Sequence, residues 1–185
     1  MGLLSVATLP YALKFFWAPA VDFIGKRRQW ISSVQFLMAV LLCVSVSLNP
    51  SDPDLFLWVC LGLLAVLSAT QDIAIDAYTI ELLEPSEMGI ANGFRQAAYR
   101  VALVMAGGIF VAMGGWIGWK ATYMIAAAVL ALCAVATFFL PAVEVQRPAF
   151  SLESLIAPAV DFLVRPGVVQ VTLFILLYKL GDMAM

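Results

Sequence analysis

Two aspartates and a set of cationic and aromatic side chains lie in stretches of this sequence that are otherwise apolar. Asp72 and Asp76 are four residues apart, so a helix would place both carboxylates on one face. Two carboxylates one helical turn apart resist being ionised together unless a cation intervenes. A carboxylate that can hold or release a proton near neutral pH is what proton coupling needs. After a turn at 84–87, the returning arm carries polar side chains at matching distances: Arg95, Tyr99 and Arg100.

When helices are counted at about 1.5 Å per residue, Lys14 falls at similar depth in another apolar segment, and Lys179 and Asp182 lie somewhat deeper, near the midplane. The candidate cavity set is Lys14, Gln71, Asp72, Asp76, Arg95, Tyr99, Arg100, Lys179 and Asp182. Charges inside a membrane must pair or line water. Ion pairs that only lock helices together are one interpretation; a hydrophilic cavity used for transport is the interpretation we favour. Within it, we expect Arg95 to hold Asp76 ionised, which leaves Asp72 as the proton carrier.

The composition predicts an all-α protein that crosses a membrane several times. The chain is 64% hydrophobic and 12% charged, with a mean hydropathy of +1.01, and a soluble domain of this length would need more polar surface. Histidine is absent, which removes the commonest metal ligand and general base. The three cysteines stand singly in apolar runs and are expected to be buried small hydrophobes. We therefore expect no metal, no cofactor and no nucleic-acid partner.

Six segments are long and apolar enough to span a bilayer, which takes roughly 17–25 residues each. They are Leu3–Val21, Trp30–Leu48, Leu55–Ile80, Ile90–Met113, Ile117–Leu140 and Gly167–Met185, the last cut off in mid-span. A polar turn at Asn49–Asp54 separates the second from the third. The predicted organisation is a bundle over 1–141, a linker over 142–166 and a truncated helix over 167–185. The linker holds either a short interfacial helix or a plain surface loop.

The loop charges predict the orientation. Lys26, Arg27 and Arg28 lie in the first loop and Arg147 and Arg165 in the linker, which fall on the same side if the helices alternate. The opposite side carries only Lys120 among the loop cations. By the positive-inside rule, the first loop and the linker are cytoplasmic.

The first loop, APAVDFIGKRR, holds a second group of candidate residues. Asp22 ends one helix, Gly25 permits a tight turn, and the cations Lys26 to Arg28 open the next helix. Topogenic charge alone would explain the cations but not the position of Asp22. We predict that Asp22 acts in gating rather than in substrate binding.

This loop resembles the signature between the second and third helices of the major facilitator superfamily, with Ala18 where glycine is usual. The stretches LKFFWAPAVD, SATQDIAIDAYTIELLEPSEMGIANG and LLYKLGD are similar to AmpG-type muropeptide permeases and their clan of acetyl-coenzyme A transporters and siderophore permeases. The resemblance implies a partial fold of this superfamily. Its N-terminal bundle lacks the first helix, and only the start of the C-terminal bundle is included.

The resemblance further implies a multi-pass transporter of the inner membrane that imports a muropeptide-like polar solute together with protons. Acetyl-coenzyme A or siderophore transport by the same fold is the alternative. Cavity cations would suit an anionic solute. Intramembrane aspartyl proteases also use paired aspartates, but Lys179 replaces their usual glycine before Gly181-Asp182. A non-transporting fragment is the remaining alternative.

Overall fold

In this computed structural model, the described residues are 9–23, 25–48, 55–141, 143, 157 and 160–184. They divide into two compact units, 1–145 and 146–185. Nearly all of the described residues are helical, and they include no strand. The predicted all-α architecture is confirmed.

The first predicted span is not one continuous helix. Helix α1 covers Leu9–Leu13, a 3₁₀ turn covers Lys14–Phe16, and helix α2 covers Ala18–Phe23. Pro19 explains the break, because it has no N–H to donate to the carbonyl of Phe15 and its ring would clash with that carbonyl in a regular helix. The expectation of a single helix over Leu3–Val21 is therefore wrong for the described residues.

Four long helices correspond to the second to fifth predicted spans. Their bounds are α3 over Arg27–Ser45, α4 over Leu55–Leu82, α5 over Met88–Val104 continued by a π turn at Met105–Ile109 and α6 over Phe110–Trp116, and α7 over Trp119–Phe138. All four are long and apolar enough to cross a membrane. These four predictions are confirmed, with ends shifted by two to three residues where the turns begin.

The remaining predicted features lie partly outside the described residues. Helix α8 covers Val168–Ala184 in the second unit, where a sixth span is predicted. Asn49–Asp54 is outside the described part of the chain. Of the linker, residues 160–164 are helical and most of the rest is not described, so its interfacial character stays a prediction.

Helix α3 is the centre of the first unit, and it packs along both α4 and α7. Small side chains allow this close approach; the buried ones include Ala39, Ala69, Ala74, Ala127 and Ala134, each at most 5% exposed. Two hydrogen bonds join α3 to α7: Thr137 Oγ1 donates to Gln35 Oε1 at 3.1 Å, and Ser32 Oγ donates to the Ala134 carbonyl at 2.9 Å.

Helices α1 and α2 pack on α4. This packing brings the 3₁₀ turn between them against the polar half of α4. Val21, Ile31, Ala74 and Tyr78 form a buried cluster where α2, α3 and α4 meet. This packing positions the candidate site.

The glycines differ from one another in their contacts, and the cysteines differ from expectation in their burial. Gly114 lies against the Trp119 ring, whereas Gly107 and Gly108 face open space. The three cysteines are free thiols, but only Cys60 is buried; Cys43 and Cys133 are exposed on the helix surfaces. The expectation that all three are buried is wrong, because a bilayer allows an apolar side chain to face outward.

Candidate functional site: a four-charge cluster

Four ionisable side chains from three elements meet beside the middle of α4. Asp72 and Asp76 come from α4, Arg95 from α5, and Lys14 from the 3₁₀ turn. Arg95 Nη1 lies 2.5 Å from Asp76 Oδ1, and its Nη2 lies 3.4 Å from Asp72 Oδ1. Lys14 Nζ pairs with the other Asp72 oxygen, Oδ2. Within the part of the chain that the structure describes, Asp72 therefore contacts two cations and Asp76 contacts one.

The local sequence explains why these groups meet. The turn after α4 is closed by hydrogen bonds between the Glu87 N–H and the Glu84 carbonyl, at 2.9 Å, and between the Glu84 N–H and Glu87 Oε2, at 3.1 Å. This turn makes α4 and α5 antiparallel, so side chains at similar distances from it come level. The expected contact between Arg95 and Asp76 is present.

The contact between Lys14 and Asp72 was not predicted as a pair, although both residues were in the candidate set. The break before Pro19 exposes Lys14 on a turn that faces α4. Asp72 therefore keeps a cation once Arg95 has paired with Asp76. The expected reason for Asp72 to carry the proton, the lack of a cation, is not met, and its role as proton carrier stays a prediction. Pro19 indicates a helix break near Lys14 but does not indicate which helix the broken segment faces.

A row of neutral hydrogen bonds borders the cluster on α4. The hydroxyls of Tyr11 and Ser68 share a hydrogen bond of 2.5 Å. Trp17 Nε1 donates to Thr70 Oγ1 at 3.1 Å. With the Lys14–Asp72 pair, these bonds hold α1, the 3₁₀ turn and its following residue along one side of α4.

The cluster is accessible rather than sealed. Its side chains are between 34% and 49% exposed, with Arg95 the most exposed. Because α4 and α5 are long apolar helices, such partly open charges are suited to a water-lined cavity. Among the described residues, no group of three metal-ligating side chains is close enough to hold a metal ion.

Other members of the predicted set do not join the cluster. Tyr99 and Arg100 are exposed on α5, and Gln71 is half-buried on α4. None of these three side chains has a hydrogen bond or ion pair to the described part of the chain. The side chains of Asp22, Lys179 and Asp182 lie outside the described residues, so their predicted roles stay predictions.

The cations of the first loop form a separate cluster at the ends of four helices. Arg27 is 8% exposed; its Nε lies 3.0 Å from Glu81 Oε1 and its Nη1 donates to the Val21 carbonyl. Arg28 Nη1 donates to the Leu140 carbonyl at 2.7 Å. Tyr78 Oη donates to the Pro141 carbonyl at 3.0 Å.

Lys26 and Gly25 are exposed, and Gly25 has φ of +69° in the turn. The sequence analysis did not identify Glu81 as the partner of Arg27. Its role is evident only from its position opposite Arg27 in the structure.

Comparison with known proteins finds a matching family model and several similar sequences. The model of the Major Facilitator Superfamily matches residues 1–181. The chain is 30% identical to the anhydromuropeptide permease of Escherichia coli (strain K12), covering 98% of this chain and 39% of the permease. It is 31% identical to an uncharacterised protein of Haemophilus influenzae, covering 98% and 46%, and to putative transporter AmpG 4 of Rickettsia felis, covering 96% and 47%.

The chain spans roughly two fifths to one half of the length of these relatives. The family match extends over nearly all of it, including both charged clusters. The match and the apolar helices make it a multi-pass membrane protein, and permease-named relatives point to a transporter and not to an enzyme. The chain belongs to the Major Facilitator Superfamily.

Proposed function

We propose that this chain forms much of the N-terminal bundle of a secondary active transporter of the inner membrane that imports a polar solute together with protons. The observation that carries the proposal is the four-charge cluster of Lys14, Asp72, Asp76 and Arg95. Three separate elements contribute to it, and its side chains are partly open within apolar helices. Charges that served only to fix helices would be expected to be buried and fully paired.

The charge balance of the cluster supports proton coupling. With all four groups ionised, two carboxylates neutralise two cations. Protonation of Asp72 would leave Lys14 and Arg95 facing a single carboxylate, on Asp76. The cluster would then carry one net positive charge and attract an anion. Binding of a proton would thus favour binding of an anionic solute, which is the thermodynamic requirement for moving the two together.

The solute class follows from the relatives. One relative is named as an anhydromuropeptide permease and others as putative AmpG transporters. We infer a muropeptide-like solute for this chain, since such a solute is polar and bears carboxylates. Acetyl-coenzyme A and siderophores are the comparison solutes.

The test is uptake into vesicles that contain the complete gene product, with an imposed pH gradient. Radiolabelled anhydromuropeptide should accumulate, whereas acetyl-coenzyme A and a siderophore should not. Asp72→Asn mimics the protonated carboxyl, so it should abolish pH-driven accumulation while exchange of solute across the membrane continues. Glu84→Gln, in the exposed turn after α4, is the matched control and should transport normally.

Two outcomes would count against the proposal. Accumulation by Asp72→Asn vesicles under a pH gradient would remove Asp72 as the proton carrier. Absence of any uptake by the unaltered protein, with all three solutes, would remove the transport proposal itself.

A further inference from the structure

An apolar groove runs between α3 and α7 on the outside of the first unit. One part of it, with a volume of about 480 Å³, is lined by residues that include Phe36, Ala39, Cys43 and Ala128. A second part, of about 600 Å³, shares Phe36 and continues to Ser33, Val135 and Phe138. The two parts follow the same helix pair. We name them together the α3/α7 groove.

The groove ends at a cation. Arg28 lies four residues before Ser32 and eight before Phe36, so all three lie on one face of α3. The guanidinium carbon of Arg28 is 5.8 Å from the centre of the Phe138 ring, which itself lines the groove. This contact fixes Arg28 at the end of the groove that is nearest the first loop.

Arg28 is not neutralised within the described part of the chain. Its single hydrogen bond there runs from Nη1 to the Leu140 carbonyl, and Nε has no partner. The neighbouring Arg27 differs, because Glu81 balances its charge. A guanidinium offers five N–H donors in a planar fork that suits phosphate. Within the described residues, Arg28 therefore has donors without a partner and no carboxylate that balances its charge.

The length of the groove fits a lipid chain. From Arg28 to Cys43 is fifteen residues, or about 22 Å along the helix at 1.5 Å per residue. One leaflet of hydrocarbon is roughly 15 Å thick, half of a 30 Å core. The cation at the interface matches the negative phosphate of a phospholipid, and the apolar walls across a leaflet match its acyl chain.

We propose that the α3/α7 groove binds one anionic phospholipid, with an acyl chain between Phe36 and Phe138 and a phosphate on Arg28. The loop that carries Arg28 also carries exposed Lys26, which adds to the attraction for a negative headgroup. A lipid at this position would bridge the ends of α3 and α7. The proposal does not depend on which solute the protein moves, or on whether it transports at all.

Native mass spectrometry of the purified protein tests this, with phosphatidylglycerol and phosphatidylethanolamine of identical acyl chains supplied in equal amounts. The unaltered protein should retain the anionic lipid over the zwitterionic one by about fivefold, the effect of one interfacial cation. Arg28→Gln keeps a donor for the Leu140 carbonyl but removes the charge, so the preference for the anionic lipid should fall well below fivefold, to what Lys26 alone provides. Arg28→Lys should keep the preference, as should Lys120→Gln, which removes an exposed cation away from the groove.

A second pair of variants tests the acyl-chain site independently of the charge. Ala128 is exposed and lines the groove, so Ala128→Phe should fill it and lower retention of both lipids. Val129 is 48% exposed on the same helix and is not among the lining residues, so Val129→Phe should leave retention unchanged.

Three results would overturn the proposal. The first is an unchanged lipid preference in Arg28→Gln. The second is equal lipid retention in Ala128→Phe and Val129→Phe. The third is a doubled mass without lipid that Ala128→Phe reduces to the single mass, which would assign the groove to a second copy of this chain.

Discussion

Asp72 and Asp76 differ in their cation partners although they belong to the same helix face. Among the described residues, Asp72 is shared between Lys14 and Arg95, whereas Asp76 pairs with Arg95 alone. Loss of Arg95 would therefore remove the one described cation partner of Asp76 but would leave Asp72 with Lys14. Arg95 is the residue on which both carboxylates depend.

Arg95→Ala should lower the free energy of unfolding by about 1–3 kcal/mol, between the values for exposed and buried pairs, because Arg95 is 49% exposed. Detergent-solubilised protein can be unfolded with heat or sodium dodecyl sulfate to measure this. Arg100→Ala is the matched control on the same helix, since Arg100 has no ion pair to the described residues. Equal losses from the two substitutions would show that the pairs with Asp72 and Asp76 add no stability.

The Arg95–Asp76 contact could be predicted from the sequence and the Lys14–Asp72 contact could not. The first needs only a helix rise and a short turn, both fixed by local sequence. The second depends on how far the chain deviates at the break before Pro19, and on which side α1 and α2 pack. Those are properties of tertiary packing, and an apolar run has no periodicity that would reveal them.

At the scale of helices, the ends of α2, α3, α4 and α7 are held together by polar bonds. The most buried of these is the Arg27–Glu81 pair, whose side chains are 8% and 13% exposed. The cations of this group could be identified from the sequence as part of the loop signature. Glu81 could not, because it lies 54 residues from Arg27 along the chain.

Glu81→Gln should destabilise the protein by up to about 3–5 kcal/mol, because it removes a carboxylate that pairs with the buried guanidinium of Arg27. The same unfolding measurement applies. Glu84→Gln removes an exposed carboxylate three residues later and should change stability by less than about 0.5 kcal/mol. A loss from Glu81→Gln no larger than that of Glu84→Gln would contradict this account.

Two adjacent glycines at the end of α6, Gly114 and Gly115, differ in the space around them. A Cβ on Gly114 would lie 2.9 Å from ring atoms of Trp119, whereas a Cβ on Gly115 would meet nothing within 4 Å. Gly114→Ala should therefore cost about 1–3 kcal/mol through overpacking. Gly115→Ala should instead be neutral or stabilising by about 0.5–1 kcal/mol, since alanine favours helix. Thermal unfolding of both variants decides the matter, and the opposite order would mean that Trp119 moves aside.

At the scale of the whole molecule, the sequence predicted the four long helices because each is an unbroken apolar run of sufficient length. The orientation of these helices in the membrane stays a prediction. It depends on the Lys26–Arg28 loop being cytoplasmic, which is also the side on which anionic lipids are concentrated.

Cysteine labelling of intact cells tests the orientation, with the three native cysteines replaced first. Lys26→Cys introduces a thiol at an exposed position in the first loop, and Asp52→Cys introduces one in the predicted turn on the other side. A membrane-impermeant maleimide should label Asp52→Cys and spare Lys26→Cys until the cells are opened. The reverse pattern would invert the topology and place the Arg28 end of the α3/α7 groove in the outer leaflet.

The π turn at Met105–Ile109 changes which residues of the fourth span share a direction. Eighteen residues make five turns of an α-helix, so a regular helix would place Met113 below Arg95. A π turn accommodates one extra residue, which moves that position to Gly114, the glycine beneath Trp119. Deleting one residue, such as Gly108, would restore regular helical hydrogen bonding and would place Gly114 eighteen residues, or five turns, after Arg95. The contact of Gly114 with Trp119 would therefore be kept, whereas deleting a residue outside the π turn would rotate the end of the span by about 100°.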